Sequence, residues 1–438
     1  MPTSEHRRLA DLNNDADSWR RWGPYVSDRA WATVREDYSP DGEAWEYFPF
    51  EHAHRRAYRW GEDGIGAICD RYQTLVFAPA FWNGVDPILK ERLFGVTPKQ
   101  ANHGEDVKEY YFYLDNTPTH SYMRMLYKYP QRAFPYQELV KENQCRAGTG
   151  LEYELLDTGI FDDDRYFDIT IEYAKGDEED LCIRIEAVNR GPVAATLHVL
   201  PQLWFRNTWA WTTPRGPEPR IELASMQGKA IAITADDSGL PPLPELPVPY
   251  CLERRTLYGP SGGKALFTNN ETDLEVGGTS DSPYTKDAFH RHIIAGEDCV
   301  NSEQYGTKSA IQYVFKDIPP GRSAVLRLRL TNRELSDPLA EVDSIVEQRR
   351  SEADEFYEAI HPKTATVDER RIQRQALAGL LWSKQIYLFH VDRWLEGDDS
   401  TSPPPSERRQ IRNHHWRHLR SMRIMSMPDK WEYPWFAA

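Results

Sequence analysis

Period-two alternation through the middle of the chain is the strongest constraint on its fold. Phe167, Ile169, Ile171 and Tyr173 alternate with Asp168, Thr170 and Glu172. After the turn Lys175-Gly-Asp-Glu-Glu-Asp180 the pattern resumes at Leu181, Ile183, Ile185 and Ala187. Ile311, Tyr313 and Phe315 repeat it, and beyond Pro319-Pro320-Gly321 so do Leu326, Leu328 and Leu330, with Arg327 and Arg329 between them. Successive strand residues point to opposite faces, so each run buries one face and wets the other. Short runs of this kind joined by Gly/Pro turns predict an antiparallel β-sandwich from about residue 153 to residue 331. The unbroken apolar run Leu75-Val-Phe-Ala-Pro-Ala-Phe-Trp82, ended by Asn83-Gly84, reads as a further buried strand.

Helical spacing takes over near residue 337. Asp337-Pro338 offers an N-cap acceptor with proline at the first helical position, and Leu339, Val342, Ile345, Val346, Phe356 and Ile360 supply a stripe ended by His361-Pro362. Thr366-Val-Asp-Glu369 fits a capping box opening a second helix, which is expected to run through Ile372, Leu377 and Leu388 to about Trp394. Two shorter helices are expected, one polar within residues 5–22 and one from Asp86-Pro87 to Gly95. The Pro-rich stretch from Gly239 to Pro249 reads as a surface loop. Sheet first and helix second suggests a β domain followed by a helical one.

Charge and composition exclude several function classes. A net charge of −15 argues against nucleic acid and anionic membrane as partners. There is no run of about 18 apolar residues to span a bilayer, and the first residues lack the apolar core of a signal peptide. Five scattered cysteines without paired spacing read as reduced thiols, so a soluble, cytoplasmic protein is expected. No phosphate loop, GxGxxG, HExxH or GxSxG stands in its required context. His414, His415 and His418 lack the cysteine or acidic partners of a metal site, and Asp162-Asp163-Asp164 lacks the glycine and terminal glutamate of a calcium loop. Cys182 has no assignable base. No cofactor and no metal are expected.

What remains is carboxylates in aromatic company. Arg35, Glu36, Asp37 and Tyr38 follow Trp31, while Trp60, Glu62 and Asp63 follow Tyr58. His103, Glu105 and Asp106 lead into Tyr110-Tyr-Phe-Tyr. A sugar presents an apolar C–H face and a rim of hydroxyls, which rings and ionised groups together can match. Glycoside hydrolysis also needs a pair of carboxylates. Two readings stand side by side: a sugar-contacting set, or an irregular aromatic core whose charges pair with one another.

Six separated motifs then carry a resemblance. They are Trp22-Gly-Pro-Tyr25, Val34-Arg-Glu-Asp-Tyr38, Tyr58-Arg-Trp-Gly-Glu-Asp-Gly64, the run Asn102 to Asp115, Leu203-Trp-Phe-Arg-Asn-Thr-Trp209 and Met427-Pro-Asp-Lys-Trp-Glu-Tyr-Pro-Trp-Phe-Ala-Ala438. Together they resemble bacterial glucosidase-like proteins of glycoside hydrolase family 63, which includes the mannosyl-oligosaccharide glucosidases. The resemblance implies a mainly β chain. An N-terminal antiparallel β-sandwich is expected over 1–335, a linker helix over 336–365 and the first part of an incomplete (α/α)6 barrel over 366–438. It implies inverting hydrolysis of α-linked oligosaccharides by an Asp acid and a Glu base, both expected beyond Ala438. Arg420-Ser-Met-Arg-Ile-Met425 departs from the family pattern. Trp431, Glu432 and Trp435 join the substrate-binding candidates; the chain is expected to be truncated, with the remaining half of the barrel as its packing partner. The alternative from another class is a stand-alone carbohydrate-binding or scaffold protein without catalytic residues.

Overall fold

A computed structural model describes residues 2–12, 18–31, 48–103, 106–146, 148, 150–210, 214–225, 230–243, 246, 248–280, 282–397, 404, 406–410, 414–423, 425–426 and 432–433. The alternating runs form strands, and the strands assemble into two antiparallel sheets. One has six strands in the order Trp22–Gly23, Ile68–Asp70, Leu75–Trp82, Ala195–Phe205, Lys308–Ile318, Lys264–Thr268. The other has nine: Tyr305–Gly306, Arg220–Ser225, Ala230–Asp236, Arg255–Pro260, Ser323–Thr331, Asp180–Asn189, Tyr166–Asp177, Tyr122–Pro130, Tyr111–Asn116.

Register decides which faces meet. Phe167, Ile169, Ile171 and Tyr173 lie opposite Asn189, Ala187, Ile185 and Ile183, so the apolar sets of neighbouring strands share one face. That face packs on Phe77, Phe81, Leu197, Val199, Leu203 and Ile311 of the six-stranded sheet, giving one continuous core between the layers. The chain is therefore a mainly β protein, a sandwich followed by helices. A second, smaller core is built around aromatic rings. Phe50 sits 5.3 Å from the ring of Trp31, 4.9 Å from Phe94 and 5.4 Å from Tyr136. Each such contact adds about 0.5–1.5 kcal/mol beyond the area it buries.

Helices α1 (Ser4–Asp11), α2 (Tyr136–Arg146), α3 (Ala288–Ala295), α4 (Val342–Ile360), α5 (Val367–Trp382) and α6 (Val391–Glu396) decorate this frame. Val342, Val346 and Ala353 of α4 cover Tyr122, Ala174 and Cys182 on the outer face of the larger sheet. The capping box expected at Thr366 and Glu369 is present and opens α5. Its inner face carries Trp382, fully buried, stacked 5.3 Å from Tyr113 at an interplanar angle of 10°. The Trp382 indole donates to the Asp115 carbonyl at 2.9 Å, and Arg374 pairs with the Asp115 carboxylate.

Four expected boundaries are corrected. Residues 86–95 form no helix: Lys90 exchanges both backbone hydrogen bonds with Phe81 at 2.9 Å, and the Asp86 side chain accepts from the Ile88 N–H at 3.1 Å. Local side-chain bonds and a strand bridge outcompete helix there. The first helix is limited to Ser4–Asp11. The helix expected from Pro338 starts at Val342, because Arg329 draws the Pro338 carbonyl to itself at 3.2 Å. The next helix stops at Trp382 rather than near Trp394. Its continuation, Ile386–His390, is a strand whose Ile386 and Leu388 N–H groups donate to the Tyr25 and Trp60 carbonyls at 3.1 and 2.9 Å. Tertiary pairing overrides helix propensity at that point.

Replacing Trp382 by Ala removes a stacked, hydrogen-bonded ring from the seam between α5 and the sandwich. The expected loss of stability is about 3–5 kcal/mol, read from urea denaturation; a loss below about 1 kcal/mol would show that α5 is not anchored there.

Candidate functional site

The motif Tyr58–Gly64 lies over the outer face of the six-stranded sheet, held by backbone bonds to its neighbours. Gly64 N–H donates to the Ser27 carbonyl at 2.8 Å and Ile65 N–H to the Glu91 carbonyl at 3.2 Å. This places Glu62 and Asp63 beside Glu91 and Arg92, with Lys286 just ahead of α3 and Lys308 on a strand completing the group. Three carboxylates face three cations, and all six side chains are buried. Arg92 Nε donates to both Asp63 oxygens at 3.1 Å, and the Tyr58 hydroxyl donates to Asp63 at 3.0 Å. Glu91 accepts from Lys308 and from Gln202, each at 3.0 Å. Glu62 accepts from Asn270 at 3.0 Å. Lys286 donates to the Ala53 and Arg56 carbonyls at 3.2 and 2.7 Å and lies 3.7 Å from the centre of the Tyr58 ring.

Isolated charges of this kind could not be buried, whereas a balanced and fully bonded set can. The electrostatics follow the partners. Burial opposes ionisation of Glu91, but Lys308 and Arg92 outweigh it and hold this carboxyl well below its usual range. Glu62 and Lys286 both shift toward their neutral forms, burial being the main cause in each. The space among these groups is about 10 Å³, room for about one water. In this arrangement Glu62 (2% exposed) and Asp63 (3%) fix the course of the Tyr58–Gly64 loop, and among the described residues the space they line together is this small one.

Trp60 is also buried, against Val391 and Leu395 of α6. The second motif is tied to the first through residues 88–96. Val96 pairs with Asp106, and Glu109 accepts from Lys90 at 2.7 Å and from the Phe94 N–H at 2.8 Å. Asp106, Glu152 and Glu154 bring carboxylate oxygens within 4.8 Å of one another. The ammonium of Lys108, itself buried, lies 2.8–2.9 Å from all three and donates to each of them. His103 stands at the edge of this group, 3.1 Å from Glu152 and exposed. Arg35, Glu36, Asp37, Tyr38, Glu105, Trp431 and Trp435 lie outside the described residues. Glu432 falls on the two-residue strand Glu432–Tyr433, opposite Ser426. His414, His415 and His418 lie in a turn-rich stretch rather than on a helix.

Sequence reasoning misses Glu91, Arg92, Lys286 and Lys308. The two lysines stand far from the aromatic motifs in the chain, and the segment holding Glu91 and Arg92 reads as a helix. The signal available is a polar residue in an otherwise apolar run: Gln202 inside the run ending Leu203-Trp-Phe205, and Lys308 at the start of the run through Ile311.

With the geometry in place, the chain can be set beside known proteins. No family model matches it. It is 44% identical over 469 aligned residues to the Saccharomyces cerevisiae "Uncharacterized protein YMR196W", covering 100% of this chain and 43% of that protein. The chain thus spans less than half the length of the curated relative it matches. Among solved structures, "Putative kojibiose phosphorylase from human microbiome" aligns with 84% of this chain and 39% of its own at 9% identity, with a TM-score of 0.22. A likeness that low carries no argument about this chain. Among the described residues no helix is long and apolar enough to cross a membrane.

Two outcomes follow for the cluster. Asp63→Ala strands the buried Arg92 and should lower stability by about 3–5 kcal/mol in chemical denaturation; a change within about 0.5 kcal/mol would contradict the pairing. The second concerns His54, whose ring lies 4.3 Å from His290. Burial, reinforced by His290 and Arg92, lowers its pKa to about 2. Unfolded chains take up this proton below about pH 6.5, so the unfolded state binds more protons and stability falls as the pH drops from there. His54→Phe should flatten the stability-versus-pH curve between about pH 6.5 and 4; an unchanged slope would contradict the assignment.

Proposed function

We propose that this chain supplies the β-sandwich portion of a carbohydrate-active enzyme, an α-glucosidase of the family-63 type. The reaction is the inverting hydrolysis of α-linked oligosaccharides, with an Asp acid and a Glu base carried on a helical barrel that residues 366 onward begin. The carrying observation is the outer face of α5. Ile372, Ala376 and Leu380 recur every four residues, forming one stripe, and Ile372 and Leu380 are 63% and 60% exposed. A helix that buries one face on a sandwich and shows a second apolar stripe is built to pack against further helices.

The order of sandwich and then helix, the six ordered motifs and a relative more than twice as long support the same reading. In it, Glu62 and Asp63 contribute by holding the Tyr58–Gly64 loop in place. Trp60, His103, Asp106 and the candidates Arg35, Glu36, Asp37, Tyr38, Glu105, Trp431, Glu432 and Trp435 border the sugar site where sandwich and barrel meet. The stand-alone carbohydrate-binding or scaffold reading leaves the α5 stripe unexplained.

The test compares this 438-residue chain with a product of the length of its yeast relative. The longer protein is expected to hydrolyse an α-linked glucose disaccharide with inversion, followed by proton NMR of the released anomer, and this chain alone is expected to show no turnover. Turnover by the shorter chain, or retention of configuration by the longer protein, would overturn the proposal.

A further inference from the structure

Helix α4 covers only part of the outer face of the nine-stranded sheet. It lies over strands Tyr122–Pro130, Tyr166–Asp177 and Asp180–Asn189, leaving strands Ala230–Asp236 and Arg255–Pro260 clear of it. The segment 332–340, which leads into α4, stands as a wall along that open part. Between wall and sheet is a cleft of about 1090 Å³. We propose that this cleft is a carbohydrate-binding site of its own, taking a neutral oligosaccharide, and that it is separate from the groups around Glu62 and Lys108.

The floor is recessed because its outward residues are small. Ile231, Ile233 and Ala235 point into the core, so Ala230, Ala232 and Thr234 point out. Register sets Ala232 opposite Tyr258 and Thr234 opposite Thr256 on the next strand. The Tyr258 hydroxyl donates to the Arg333 carbonyl at 3.3 Å, which ties the floor to the wall and fixes the half-buried ring beside the alanine methyls. A ring and methyl groups offer apolar surface to the C–H face of a pyranose, and Thr256, Asn332 and Ser336 offer hydroxyl and amide groups to its rim.

Charge selects the ligand class. The lining sets Arg254 and Arg333 against Glu334 and Asp337, and Asp177 outside it pairs with Arg333, so among the described residues no guanidinium of the lining is left uncompensated for an anion. A phosphate or carboxylate ligand calls for uncompensated cations, and a cationic ligand for uncompensated carboxylates. A balanced lining rich in uncharged donors and acceptors suits a neutral polyol. At about 1090 Å³ the cleft slightly exceeds the roughly 300–1,000 Å³ range of ligand sites, so its occupant is an oligomer rather than a single ring. Choosing an oligosaccharide among neutral polyols rests on the proposed function.

A second observation points the same way. Thr234 is 3% exposed, yet its hydroxyl has no hydrogen-bond partner among the described residues. Buried hydroxyls are nearly always bonded. A threonine at the floor of a cleft can turn its hydroxyl toward an occupant by rotation about χ1, and a sugar hydroxyl is a partner able both to donate and to accept.

The experiment titrates maltopentaose into the 438-residue chain by isothermal calorimetry. Two variants, Ala232→Leu to fill the floor and Tyr258→Ala to remove the ring, are titrated in parallel, with thermal melts to confirm folding. Saturable binding is expected, weakened at least about tenfold in each folded variant. Absence of saturable binding, or equal binding by both variants, would overturn the site. So would concentration-dependent dimerisation that Ala232→Leu abolishes, since the cleft would then be filled by a second copy. Binding here without turnover supports the site whether or not the hydrolase reading survives. Turnover by the longer protein with no binding at this cleft overturns this inference alone.

Discussion

The ion pair between Arg92 and Asp63 is the contact on which the N-terminal half of the structure depends. Both side chains are buried, so each charge is tolerable only because the other is 3.1 Å away and hydrogen-bonded. Through Asp63 the pair holds Tyr58 and with it the aromatic core of Trp31, Phe48, Phe50 and Phe94. Through residues 88–96 it reaches Glu109 and the strand pair that carries Asp106. Segments with no regular periodicity are thereby fixed on the outer face of the six-stranded sheet, where hydrophobic pattern alone would leave their course undetermined.

The two sheets have different duties. The six-stranded sheet is covered outside by these irregular segments and by α3, whose Phe289 packs on Leu200 and Leu266. The nine-stranded sheet is covered outside by α4, which is itself clamped by Arg350 to Glu172 at 2.6 Å and by Arg349 to the Lys175 carbonyl at 2.6 Å. Among the described residues, the α5 stripe and the cleft beside α4 carry the proposed functions, the first for helix packing and the second for a ligand. The stripe follows the sheet-to-helix switch near residue 337, and the segment at that switch forms one wall of the cleft.

The sandwich was legible because a period of two survives in sequence as Phe167, Ile169, Ile171 and Tyr173. The capping box at Thr366 was legible because its chemistry is local. The absence of a helix over 86–95 and the helix ends near 338 and 382 were not, since pairings outside the helix pattern decide them: Lys90 with Phe81, Arg329 with the Pro338 carbonyl, and Ile386 and Leu388 with the remote Tyr25 and Trp60 carbonyls. Around Trp60 the Asp63 carboxylate meets the Tyr58 hydroxyl while the Trp60 ring packs apart against α6, and further on Asp106 meets Lys108. Their partners Lys286, Lys308 and Glu152 could not be read, because an ion pair between remote segments leaves no periodic trace. The burial of Glu62 and Asp63 likewise emerges only once the sheet beneath them exists.

The most direct test is a double-mutant cycle on the buried pair. Asp63→Ala, Arg92→Ala and the double variant are compared by urea denaturation, which isolates their coupling from the cost of each substitution alone. Mutual dependence of the two charges predicts a coupling of at least about 1.5 kcal/mol, with the double variant less destabilised than the sum of the singles. Additivity within about 0.5 kcal/mol would mean that the two charges do not depend on one another, and that something else holds the Tyr58–Gly64 loop on the sheet.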